Sequence, residues 1–137
     1  MTRDQTLACL RQALSGVAGV RLALLFGSVA RGAEHAQSDL DLAVDVDADV
    51  DLPGLSATLS RAVGREVELV RLNDAGVPLL DELVRDAITV HEGTPGAAAR
   101  WRAHTLVDLE IDRPWFARMR DAWLRRVAER GLGDGQS

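Results

Sequence analysis

The sequence predicts a small α/β domain with a mixed, twisted sheet, helices packed mainly on one side, and a helical C-terminal extension. Three observations carry this expectation. Apolar stretches of strand length fall at 20–26, 40–44 and 66–70. Glycine turns and short amphipathic stretches separate them, and residues beyond Gly96 carry helical spacing.

Leu7, Leu10 and Leu14 lie on one helical stripe within Thr6–Ser15, which ends near Gly16. Cys9 sits in that helix and reads as a small core residue. Val20–Phe26 is compact and apolar, a buried first strand. Gly27 and Gly32 then punctuate the chain, with a helical turn expected over Ser28–Arg31. In the next strand Leu40, Leu42 and Val44 alternate with Asp39, Asp41 and Asp45, an apolar face against an acidic one. The Asp-rich stretch 45–51 reads as a solvated loop.

Pro53-Gly54 introduces a helix over Leu55–Val63, and Val67, Leu69 and Val70 mark another strand with Glu68 turned away from its apolar neighbours. Pro78 suits the first turn of a helix carrying Leu79, Leu80, Leu83 and Val84. Ile88–His91 reads as a short strand or extended edge. Gly93, Pro95 and Gly96 make the plainest boundary, dividing a core at 1–96 from a helical extension at 97–137 within one compact domain. That extension is expected as a helix from Ala97 to Leu109, interrupted by Pro114, then resumed through Val127. Phe116, Met119, Trp123 and Val127 share one side of it, either packed intramolecularly or facing a partner. Residues 131–137 are expected to fray.

Composition narrows the class. At 137 residues, 47% apolar and 27% charged, the chain suits one globular domain with a core of its own. No apolar run approaches a membrane span, and Met1–Gln5 lacks the apolar region of a secretory signal. One cysteine permits neither an internal disulfide nor a cysteine-rich zinc site, so a cytoplasmic setting is expected. The net charge of −5 argues against stable nucleic-acid binding. Its distribution is uneven. Residues 1–99 carry 8 arginines against 15 acids, whereas residues 100–130 carry 8 against 5. There is no lysine, so every fixed side-chain cation is a guanidinium suited to bidentate phosphate contacts.

The chemistry concentrates in Gly27-Ser28-Val29-Ala30-Arg31-Gly32, followed by Ser38-Asp39-Leu40-Asp41-Leu42. Two residues apart on a strand, Asp39 and Asp41 point the same way. Adjacent carboxylates repel one another, and a divalent cation that also bridges phosphate oxygens would relieve the repulsion. An all-oxygen set without a Cys or His cluster favours Mg²⁺. An isolated Asp-x-Asp reads more simply as two exposed aspartates. The upstream turn changes that balance, because Gly27 allows close approach of a phosphate and Ser28 offers an amide and a hydroxyl. Arg31 is open between a triphosphate contact and a salt bridge to the acidic strand. Ser38 reads as a turn cap beside the nucleotide. Glu68 is the best-placed third carboxylate, as metal ligand or base, with Glu66 of the same parity as alternate.

These two motifs closely resemble the minimal nucleotidyltransferase family of the DNA polymerase beta superfamily, and most of all the MntA-type adenylyltransferase antitoxins paired with HEPN toxins. The resemblance is strongest from Leu25 to Val44 and extends to about Glu92. It implies a small nucleotidyltransferase fold, with nucleotide phosphates at Gly27 and Ser28 and Mg²⁺ at Asp39 and Asp41. The third family carboxylate is usually Asp, and Val67-Glu68-Leu69-Val70 matches it with Glu68, a departure of one methylene. The same topology is expected to bring residues 45–51 near the active face.

The function implied is transfer of AMP from ATP to a hydroxyl, tyrosine by resemblance, of a cognate HEPN toxin, in an assembly that could be oligomeric. Three alternatives stay open. The chain could neutralise a toxin by stoichiometric binding, modify a small molecule, or bind nucleotide on a fold that no longer catalyses.

Overall fold

The computed structural model describes residues 2–32 and 39–131. Its strands are β1 (Val20–Phe26), β2 (Leu40–Val46), β3 (Val67–Arg71) and β4 (Ile88–Glu92). They form one mixed sheet in the order β3-β2-β1-β4. β1 is antiparallel to both β2 and β4, and β2 is parallel to β3. A parallel neighbour needs a crossover, and α2 (Leu52–Val63) supplies it. The remaining long elements are α1 (Arg3–Ser15), α3 (Val77–Asp86) and α4 (Ala97–Arg126).

The helices cover both faces of the sheet rather than mainly one. Leu7, Leu10 and Leu14 of α1 and Leu55, Leu59 and Val63 of α2 pack on the face carrying Ala23, Leu25, Leu40 and Leu42. On the other face Leu79, Leu80 and Leu83 of α3 and Ala97, Ala98 and Trp101 of α4 meet Leu22, Leu24 and Ala43. The pairing of β1 with β2 is irregular between Val20 and Leu22, and these two residues enter opposite layers. Cys9 is half-buried against the first layer, as a small core residue would be.

Local chemistry accounts for the helix ends. Thr2 and Gln5 form a reciprocal capping box at α1, and Gly64 closes α2 with φ of 70°. The α4 start is capped from outside the helix, with the Glu92 carboxylate accepting the Ala98 N–H at 2.8 Å.

α4 corrects a second expectation, since it continues unbroken through Pro114. Proline removes one backbone donor, and here the surrounding positions are exposed, where water can satisfy the freed carbonyl. Thr105 and Leu109 are buried, and Arg113 pairs with Asp81 of α3 at 2.7 Å. Farther along, Trp115, Met119 and Trp123 are exposed, and Phe116 is half-buried. Of the two readings of that stripe, intramolecular packing does not hold for Met119 and Trp123. The frayed tail expected at 131–137 lies outside the described residues from 132 onward. Among the described residues, no helix is long and apolar enough to cross a membrane.

Candidate active site

The C-terminal end of β1 and the N-terminal end of β2 lie side by side, with Phe26 opposite Asp41. The chain leaves β1 at Gly27 with φ of 81° and turns at once. Arg31 N–H closes onto the Gly27 carbonyl at 3.2 Å, and Gly32 N–H onto that of Val29 at 3.1 Å, giving the helical turn expected here. Val29 and Ala30 anchor it by entering the core. Arg3 of α1 grips it from behind, donating through Nε to the Val29 carbonyl at 3.1 Å and through Nη2 to that of Ala30 at 2.9 Å. Ser28, between Gly27 and Val29 in this turn, is half-buried.

Gly27 is pressed against Asp41. A Cβ at position 27 would lie 2.6 Å from Asp41 Oδ2, closer than real Cβ contacts come. The Gly27 turn and Asp41 are therefore one unit.

The third carboxylate arrives through register. Leu40 N–H donates to the Glu66 carbonyl at 2.9 Å, and the Ser60 hydroxyl of α2 accepts the Val67 N–H at 3.0 Å. β3 thereby enters with Glu68 directly paired with Asp41, and paired residues share a sheet face. Asp39 immediately precedes β2 and is exposed, as is Glu68. Glu66 precedes β3 on the same parity and is also exposed. Ser38 lies outside the described residues.

Burial raises the Asp41 carboxyl above its ordinary value, and the charges of Glu68, Asp39 and Glu82 push it the same way. Among the described residues, no three His, Cys, Asp or Glu side chains are gathered as a ready-made metal cage. Mg²⁺ commonly takes one or two carboxylates and draws its other ligands from phosphates and water. The oxygen-only pair Asp39 and Asp41 fits that chemistry, and the strained ionisation of Asp41 is what a cation would relieve.

Glu82 of α3 is the residue that sequence reasoning missed. Its Oε2 accepts the Gly27 N–H at 3.1 Å and the Arg31 Nη1 at 3.0 Å. Arg31 thus forms its ion pair with α3, not with the acidic strand. The only local sign was the acidic pair Asp81-Glu82 between Leu80 and Leu83, a common pattern in an amphipathic helix.

The Asp-rich stretch is also corrected, because residues 47–51 follow the far end of β2 from Asp39. Asp45 and Asp47 pair there with Arg21. A hollow of about 520 Å³ at that end is lined by Gly19, Asp47, Asp49, Asp51 and Thr58. Volume and chemistry point to opposite ends of β2. Chemistry decides, since the hollow is an open depression without the turn and in-register acids found at the Gly27 end.

Comparison with known proteins places the fold in a family. Residues 9–94 match the family described as polymerase beta, nucleotidyltransferase. A candidate protein adenylyltransferase of Methanocaldococcus jannaschii is 32% identical over 75 residues, spanning 53% of this chain and 81% of that protein. A chain from a crystal structure of a toxin–antitoxin with AMP-PNP superposes with a TM-score of 0.68 at 22% identity, covering 90% of this chain and 99% of the other. A chain from the complex of a tri-AMPylated Shewanella oneidensis HEPN toxin with its MNT antitoxin gives 0.68 at 18% identity, with the same coverage. The chain belongs to the polymerase beta nucleotidyltransferase family.

Proposed function

We propose that this chain is an adenylyltransferase antitoxin that moves AMP from ATP to a tyrosine hydroxyl of a cognate HEPN toxin. The observation that carries the reading is the contact of the Gly27 turn with Asp41, while Glu68 stands in register beside that acid. The named activities of the relatives supply the acceptor class.

In this reading the triphosphate lies along Gly27, Ser28 and Arg31. Asp39 and Asp41 would hold Mg²⁺, which when bound neutralises phosphate charge. The acceptor oxygen bonds to the alpha-phosphorus, the bond from that phosphorus to the bridging oxygen breaks, and pyrophosphate leaves. Glu68 takes the hydroxyl proton or completes the metal's ligands. The division into a core at 1–96 and a helical extension from 97 belongs to the same proposal, with the toxin providing the missing wall of the site. A cytoplasmic setting is part of it too.

The test combines purified protein, a cognate HEPN toxin, Mg²⁺ and alpha-labelled ATP. Label on the toxin together with pyrophosphate release is expected. Tight inhibition of the toxin without label transfer would replace the enzyme by a stoichiometric inhibitor, a reading favoured by the apolar exposure along α4. Label on a metabolite alone would assign a small-molecule transferase.

Trp123, 56% exposed, gives a separable prediction. Trp123→Ala should change folding stability by no more than about 0.5 kcal/mol, as exposed substitutions commonly do. If the α4 stripe meets the toxin, the same change should weaken association by about 2 kcal/mol. Thermal unfolding and calorimetric titration read the two effects independently, and unchanged association removes Trp123 from the interface.

A further inference from the structure

Glu82 does something that the three family-type carboxylates do not. A single oxygen, Oε2, takes both the backbone N–H of Gly27 and the guanidinium of Arg31. Two donors converging on one anionic oxygen is the arrangement a phosphate oxygen would use. Both donors lie on the turn assigned above to the triphosphate, so this inference rests on that reading. The carboxylate is supplied by α3, a helix outside both sequence motifs and 55 residues distant from Gly27.

We propose that Glu82 is an internal competitor for the nucleotide: its carboxylate occupies a phosphate-oxygen subsite of the Gly27 turn and must be exchanged for phosphate when a nucleoside triphosphate binds. Two observations support the exchange. Glu82 is only partly buried, its side chain being 26% exposed, so it has somewhere to go. Arg31 is 46% exposed and can follow an incoming phosphate while releasing the carboxylate. Until it leaves, the carboxylate satisfies the Gly27 amide and steadies the turn. Nucleotide affinity is correspondingly lower than the donors alone would give, because a charge-assisted pair is broken for each one made.

The experiment measures binding, not turnover. Full-length wild type, Glu82→Gln and Glu82→Ala are titrated calorimetrically with Mg²⁺–AMP-PNP, and separately with inorganic tripolyphosphate in the absence of Mg²⁺. Circular dichroism and thermal unfolding identify the folded variants, and Glu82→Gln keeps an acceptor for Gly27 should the alanine variant unfold. Removing the competing charge should tighten both ligands, by about tenfold for alanine and less for glutamine, a tenfold change being about 1.4 kcal/mol. Equal or weaker tripolyphosphate binding by the folded variants would overturn the proposal and leave Glu82 as a tether for Arg31. Weaker Mg²⁺–AMP-PNP binding with unchanged tripolyphosphate binding would overturn it in favour of a metal ligand. If neither wild type nor variants bind either ligand, the nucleotidyl-transfer reading itself fails and the competitor falls with it.

Discussion

Asp41→Asn is expected to lower AMP transfer by at least about 100-fold, the scale on which loss of one preorganised charge-stabilising group acts, while leaving the protein as stable or more so. The two halves have one cause. Burial and the charges of Glu68, Asp39 and Glu82 raise the folded-state pKa of Asp41 above its unfolded value. A carboxyl shifted in that direction favours folding while protonated, below the unfolded value. The contribution is lost as pH rises through the folded value, so at neutral pH ionised Asp41 opposes folding. Asparagine keeps the shape and never ionises. Its thermal midpoint should therefore equal or exceed that of wild type near neutral pH, and the difference should shrink as pH falls below the ordinary carboxylate range. Calorimetric scans across pH, with radiolabel transfer at neutral pH, check both halves. Near-wild-type transfer by the folded variant would remove Asp41 from the chemistry. A lowered midpoint at neutral pH would mean that the interactions lost with the carboxylate outweigh the crowding of charge.

The strands were legible because their periodicity is strong and their ends carry turn residues. Val20–Phe26 forms over the expected bounds, and the parity that turned Glu68 away from Val67 and Leu69 survives as its register with Asp41. The two-sided cover was also present in principle. An apolar run with Leu22 and Leu24 on one side and Ala23 and Leu25 on the other leaves neither face for water. Read as one buried strand, it did not say which helices lay on which face. Pro114 shows local preference losing to context, since α4 continues through it where the helix is exposed. Glu82 was illegible for a different reason. Its significance comes from Gly27 and Arg31, more than fifty positions away, and only tertiary packing brings α3 to the turn. The α4 stripe lies between these cases: spacing tells which residues share a side, but exposure of Trp115 and Trp123 had to be seen.

The larger structural effect is expected from Gly27→Ala, and Gly32→Ala is its internal control. Both glycines have positive φ, 81° and 72°, where a side chain costs on the order of 1 kcal/mol or more. Their surroundings differ. At Gly32 an added methyl meets no atom of the described residues within 4 Å, so backbone strain is the cost expected there. At Gly27 the methyl would stand 2.6 Å from Asp41 Oδ2. That oxygen ends a side chain and can swing aside, so folding should survive with a loss of about 1–3 kcal/mol, the range for one strained site. The chemistry cannot yield so easily. Displacing Asp41 moves the central acid away from Asp39 and Glu68, and misplacement by about 1 Å is enough for a loss near 100-fold. Gly27→Ala should therefore lose transfer out of proportion to its thermal shift, whereas Gly32→Ala should retain transfer once its smaller stability loss is allowed for. Measuring the thermal midpoint and transfer rate for both variants distinguishes a turn that merely tolerates glycine from one that needs it beside the acid. Equal losses of transfer would show that φ alone matters and that the Gly27–Asp41 contact has no part in catalysis.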